Sequence, residues 1–177
     1  MKDQLIGKKV ALGGIITALS VMCMYLSAVV PTGKLTLWAI SSMFTLAMVI
    51  EFGPGAALVT YAATTVLSFF IVPNPIVIIP YAIFFGYYGI IKYYIEKLHH
   101  LVWEWVIKIL FFNVFLGLLY LAVLYLPEFR RLVENANIRY AMWVTIVLAE
   151  IAFIVYDYGY SLMVGYYRNR LRKMLRF

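Results

Sequence analysis

Residues 101–126 read LVWEWVIKILFFNVFLGLLYLAVLYL, an apolar run with only two ionisable side chains, Glu104 and Lys108, before Pro127. About 20 predominantly apolar residues carry an α-helix across the hydrocarbon core of a bilayer. The stretch therefore predicts a membrane-spanning helix. Further runs of the same character lie on either side of it, giving a set at about 10–30, 35–50, 56–72, 76–95, 101–126 and 138–163. Gly53-Pro54-Gly55, Pro73-Asn74-Pro75 and Leu126-Pro127-Glu128 punctuate the set, as glycine and proline end helices. The expected fold is an all-α integral membrane protein, a six-transmembrane-helix bundle forming one transmembrane domain over residues 1–177.

Composition supports this reading. The chain is 65% hydrophobic and 13% charged, with a mean hydropathy of +0.91, whereas soluble domains carry roughly 25% charged and 45–50% apolar residues. These figures exclude a soluble globular domain, and six spans leave little chain for an extramembrane catalytic one. The net charge of +7 does not point to nucleic acid, because the basic residues gather at the ends of the apolar runs. Cys23 is the single cysteine, so an internal disulfide is excluded.

With six spans both termini share a side. That side collects Lys2, Lys8, Lys9, Lys92, Lys97, Arg168, Arg170, Arg172, Lys173 and Arg176, against Lys34, Arg130, Arg131 and Arg139 on the other. The excess of Lys and Arg in cytoplasmic segments places both termini in the cytoplasm. Aromatic clusters at Tyr87, Tyr88, Tyr93 and Tyr94, at Trp103 and Trp105, and at Tyr156, Tyr158, Tyr160, Tyr166 and Tyr167 fall on the same face. They read as an interfacial belt. The first run resembles a signal peptide superficially, but its length and the five runs behind it favour a retained helix.

Ionisable groups inside spans are costly and are the first functional candidates. Four qualify, Glu104, Lys108, Glu150 and Asp157, with Asn113 as a polar companion. If the fifth span runs outward and the sixth inward, a 1.5 Å rise per residue sets Asn113 level with Glu150, and Lys108 level with Asp157. Lys108 can pair with Asp157, or with Glu104 one turn away, as a structural ion pair. Glu150 reads equally as a solute ligand or as part of an interhelical clasp with Asn113. On the outer side, Lys34 and Asn74 sit in short loops where they can reach a solute, although a lysine there can also simply snorkel. The adjacent His99 and His100 do not share a helical face, so no metal site is expected, and no cofactor. The sequence has no H-E-x-x-H, G-x-S-x-G or P-loop pattern, and Asp157 has no second intramembrane aspartate beside it. An enzyme is not expected.

Two stretches carry a family resemblance, Ala11-Leu12-Gly13-Gly14-Ile15-Ile16-Thr17-Ala18-Leu19-Ser20 and Gly53-Pro54-Gly55-Ala56-Ala57. Both resemble the substrate-binding S components of energy-coupling-factor transporters. These are small six-helix bacterial membrane proteins that capture vitamins, other micronutrients or metal ions. The resemblance implies a multi-pass protein of the bacterial cell (cytoplasmic) membrane, partnered by a transmembrane coupling subunit and two ATPase subunits. It implies that Gly14 and Ala18, with Ala11 one turn earlier, dock the coupling subunit. It also implies an outward cavity that takes a small-molecule solute, for which Lys34, Asn74, Asn113 and Glu150 are the substrate-binding candidates. The acidic residue often found in the family's third span is replaced here by Thr65-Val66-Leu67-Ser68. The alternative is a non-transporting membrane assembly protein resembling the rod-complex cell-shape protein, with the same bundle and a filled interior.

The charge distribution makes a topological prediction. Reporter fusions at residue 177 and within residues 128–137 are expected on opposite sides of the membrane, the first cytoplasmic. Reporters on the same side would remove the six-span reading.

Overall fold

The computed structural model describes residues 2–125 and 142–171. Arg130, Arg131, Arg139, Arg172, Lys173 and Arg176, together with the start of the sixth run, lie outside the described residues. Six helices follow in chain order, α1 (Lys2–Val29), α2 (Lys34–Phe52), α3 (Pro54–Ile71), α4 (Gly86–Glu96), α5 (Leu101–Tyr125) and α6 (Met142–Tyr166). No strand occurs among the described residues. Six segments are long and apolar enough to cross a membrane: Ile6–Val29, Lys34–Phe52, Pro54–Ile71, Pro75–Glu96, Leu101–Tyr125 and Ile146–Asn169. The first helix begins before the apolar run, so Lys8 and Lys9 are exposed residues on α1 rather than part of a loose tail.

The chain packs as two compact units. One holds α1–α4 and the end of α6 from Met163, and the other holds α5 and α6 through Leu162. In the first unit α2 and α3 are joined by a single residue, Gly53. Its φ of 82° and ψ of 175° lie in a region essentially reserved for glycine, where an L side chain costs about 1–3 kcal/mol. Pro54 follows at the first position of α3, where its missing N–H is not needed.

The inner face of α3 consists of Ala56, Ala57, Thr60, Thr64 and Ser68, four of them spaced by one helical turn. Its large side chains, Val59, Val66, Leu67, Phe69 and Phe70, are exposed. This is the reverse of a water-soluble amphipathic helix. Where lipid is the solvent, burying leucine against a neighbour gains little, and small residues are selected at contacts because they let backbones approach. α3 accordingly packs against α1, α2 and α4. Below this polar stretch, Ile16, Met48, Val49, Ala56, Ala57 and Ile90 form the apolar core of the unit.

The fourth run, expected as one helix over 76–95, is instead built in pieces. A 3₁₀ turn at Pro75–Ile78 leads into a π-helical segment at Tyr81–Phe85, and only from Gly86 is the span regularly α-helical. Pro80, inside the run, contributes no N–H and so weakens the ladder locally. The widened turn is braced by two phenols, one from α3 and one four residues on in the same span: Tyr61 donates to Ala82 O and Tyr87 to Ile83 O, each at 2.6 Å. Lys92, which the charge pattern alone places among the orienting cations, is buried at 1% exposure and pairs with Glu96 Oε1 at 2.8 Å.

Gly86 is where the π-segment meets α3. A Cβ there would lie 2.5 Å from Cδ2 and 2.6 Å from Cε2 of the Tyr61 ring, and 3.0 Å from Cε1 of Tyr81. Gly86→Ala is therefore expected to displace Tyr61 and to destabilise the protein by about 1–3 kcal/mol, the usual cost of overpacking. Unfolding of the purified variant in detergent checks this, and a melting temperature equal to wild type would show that Tyr61 is not fixed against the turn.

Candidate functional site

Polar side chains gather at two places, one in each unit. In the second unit they form a ladder between α5 and α6. Lys108 Nζ donates to Asp157 Oδ2 at 3.0 Å, with Lys108 4% and Asp157 3% exposed. The ammonium also lies 5.5 Å from the centre of the Trp105 ring, within the range of a cation–π contact. One turn further along α5, Phe112 stacks on Phe153 of α6 with centroids 4.4 Å apart and planes 6° from parallel. Next to it Asn113 Nδ2 donates to Glu150 Oε1 at 2.8 Å and to Ile109 O at 3.0 Å. Each step along α5 is matched by a step back along α6, which is the register of an antiparallel pair.

The burial of Lys108 and Asp157 makes their contact consequential. Removing either partner of a buried pair strands the other charge, at a cost of about 3–5 kcal/mol. Glu104 is half-buried one turn earlier, with its backbone N–H donating to His100 O at 3.0 Å. At the other end of the ladder Asn113 is exposed and Glu150 half-buried. There the carboxylate is held by an amide donor, an arrangement that serves a clasp and leaves the second carboxylate oxygen for another donor.

In the first unit, Lys34 is the half-buried first residue of α2. Asn74 is exposed, and its side chain accepts from Ile76 N at 3.1 Å, which caps the 3₁₀ turn. Lys34 and Asn74 thus belong to one unit, and Asn113 and Glu150 to the other. Gly14 and Ala18 are exposed on α1 and line an apolar groove of about 1030 Å³ between α1 and α3, with Gly13, Thr17, Val59 and Ala63. Nothing stands within 4 Å of a Cβ built on Gly14. Ala11 is exposed on the same helix but does not line the groove. His99 and His100 are exposed between α4 and α5, and no group of three or more His, Cys, Asp or Glu could hold a metal among the described residues.

The sequence reading passed over the polar cluster of the first unit. Ser41 and Thr45 on α2, Thr64 on α3 and Tyr81 in the π-segment are each at most 1% exposed. The three smaller hydroxyls face the Tyr81 phenol, yet the Ser41, Thr64 and Tyr81 oxygens meet no partner in hydrogen-bond geometry. A signal was present in the four-residue spacing of Thr60, Thr64 and Ser68, and of Ser41 and Thr45. Uncharged hydroxyls in an apolar run are easily read as filler.

Replacing Lys108 by Met should destabilise the protein by about 3 kcal/mol or more, measured by unfolding in detergent. The double variant Lys108→Met with Asp157→Asn should recover part of that loss, because it removes the stranded charge. Purely additive losses would make Glu104 the energetically important partner. Compared with known proteins, the chain matches no family model, no curated protein and no solved structure.

Proposed function

We propose that this chain is the membrane-embedded, solute-binding subunit of an energy-coupling transporter for a micronutrient-like solute, located in the bacterial cytoplasmic membrane. The observation that supports this reading is the groove between α1 and α3. It is apolar, open, and floored by Gly13, Gly14 and Ala18, where missing side chains let a partner helix approach to backbone distance. The occupant in this reading is a helix of a transmembrane coupling subunit, driven in turn by cytoplasmic ATPases. Lys9 at one end of the groove supplies a cation where that helix emerges from the membrane. The chain itself carries no nucleotide-binding motif, so the energy comes from its partners. Its own part is to bind the solute and to move as a unit.

The test uses two measurements on one protein. Replacing Gly14 and Ala18 together by leucine should abolish co-purification of a coupling subunit expressed with it, while the isolated protein keeps its wild-type melting temperature. Native mass spectrometry of the wild-type chain should find a bound small molecule. An intact partner complex in the double variant would remove the docking face. Absence of any bound small molecule, together with unimpaired complex formation, would favour the non-transporting assembly protein.

A further inference from the structure

Large apolar side chains cover the outer surface of α5 and α6: Leu110, Val114, Val147 and Ile154 are each at least 44% exposed. That is what contact with lipid requires. Asn113 and Glu150 interrupt this surface, the first exposed and the second half-buried. Asn113 is the central residue of the 25-residue α5, about 18 Å from either end at a rise of 1.5 Å per residue. Where α5 crosses a bilayer, this is the depth at which a charged side chain is most costly.

The hydrogen bonds of this rung leave a one-sided remainder. The amide of Asn113 has two N–H donors, and both are spent, on Ile109 O at 3.0 Å and on Glu150 Oε1 at 2.8 Å. Only the nitrogen can face two acceptors, which fixes the orientation of the amide. Neither residue has another hydrogen bond or ion pair among the described residues. The rung therefore retains Asn113 Oδ1 and Glu150 Oε2, two acceptors with no donor beside them. Lys108, the nearest cation along α5, is already committed to Asp157 at 3.0 Å. Gly117, one turn on from Asn113, is exposed, and nothing lies within 4 Å of a Cβ built on it. Its missing side chain leaves room beside the rung for the backbone of another helix.

We infer that the face of α5 and α6 at Asn113, Gly117 and Glu150 docks a transmembrane helix of another protein that carries a lysine or arginine near its midpoint. The class of partner follows from charge and from hydrogen-bond type. A carboxylate only accepts, and lysine and arginine only donate. Each charge is costly alone in lipid, and pairing relieves both. A second copy of this chain is the poorer match, because its exposed cations among the described residues, Lys8, Lys9, Lys97 and Arg168, lie toward helix ends and not at this depth. The inference goes beyond the transporter reading and does not depend on it: this face belongs to the second unit, whereas the groove between α1 and α3 belongs to the first.

The experiment uses a synthetic transmembrane peptide of leucine and alanine with one arginine at its midpoint, and matched peptides with glutamine or leucine there. Fluorescence energy transfer between each peptide and the full-length protein, labelled on a terminal tag, is measured in lipid vesicles. The arginine peptide is expected to bind wild type about tenfold more tightly than the leucine peptide, the scale of one polar contact between membrane helices. Glu150→Gln, which keeps the shape of the side chain and removes its charge, should abolish that preference while the melting temperature stays at the wild-type value. Gly117→Leu should weaken the arginine peptide by closing the approach. Equal binding of the arginine and leucine peptides to wild type would overturn the inference, as would a preference that survives in Glu150→Gln. Binding of the glutamine peptide as tight as that of the arginine peptide would make the rung a neutral hydrogen-bonding contact and remove the cationic partner. Energy transfer between copies of the protein in the absence of peptide, lost in Glu150→Gln, would assign the face to a second copy and overturn the inference in that way.

Discussion

The inner face of α3 governs the first unit. Because that face offers only Ala56, Ala57, Thr60, Thr64 and Ser68, three neighbouring elements can come close to one helix, and close approach supplies dispersion contacts where lipid removes the hydrophobic incentive. Tyr61, also on α3, then reaches across to hold the π-turn by its carbonyl at Ala82. That reach is possible only because Gly86 presents no side chain to the Tyr61 ring. A larger residue anywhere along this seam would push the backbones apart and break hydrogen bonds that depend on their separation.

The second unit follows a different rule. α5 has a mostly exposed surface of large apolar residues, and what fixes its register against α6 is a short series of specific contacts. Lys108 with Asp157, Phe112 on Phe153, and Asn113 with Glu150 succeed one another along the interface. The charged pair is the most demanding of the three, since neither member can be solvated where it lies. Directional contacts of this kind select one register, whereas leucine packed on leucine would tolerate several.

These two rules distribute the functional prospects. Small residues on α1 leave a groove on the surface of the first unit, suited to another helix. Inside the same unit the hydroxyls of Ser41, Thr45 and Thr64 lie against the Tyr81 phenol. The ladder of the second unit pairs Lys108 with Asp157 at one rung and Asn113 with Glu150 at the other.

Much of this was legible in the residues. The six apolar runs, the breaks at Gly53-Pro54 and Pro73-Asn74-Pro75, and the levels of Lys108 with Asp157 and Asn113 with Glu150 follow from counting, because the rise per residue of a helix is constant. What counting could not give was direction around the helix axis and the state of each backbone turn. Lys92 reads as an interfacial cation but is buried and pairs with Glu96 one turn on. The fourth run reads as one helix but contains a π-segment, since hydropathy responds to side-chain polarity and not to which carbonyl an N–H selects. Ser41, Thr64 and Tyr81 read as unremarkable residues in apolar runs. Only the packing of three elements, set by the absence of a Cβ at Gly86 and by the small face of α3, brings their hydroxyls to one point. Sequence alone determined that the chain is helical, apolar and sized for six spans; the tertiary structure decided which polar atoms meet, because meeting depends on rotation and separation of helices that no local pattern encodes.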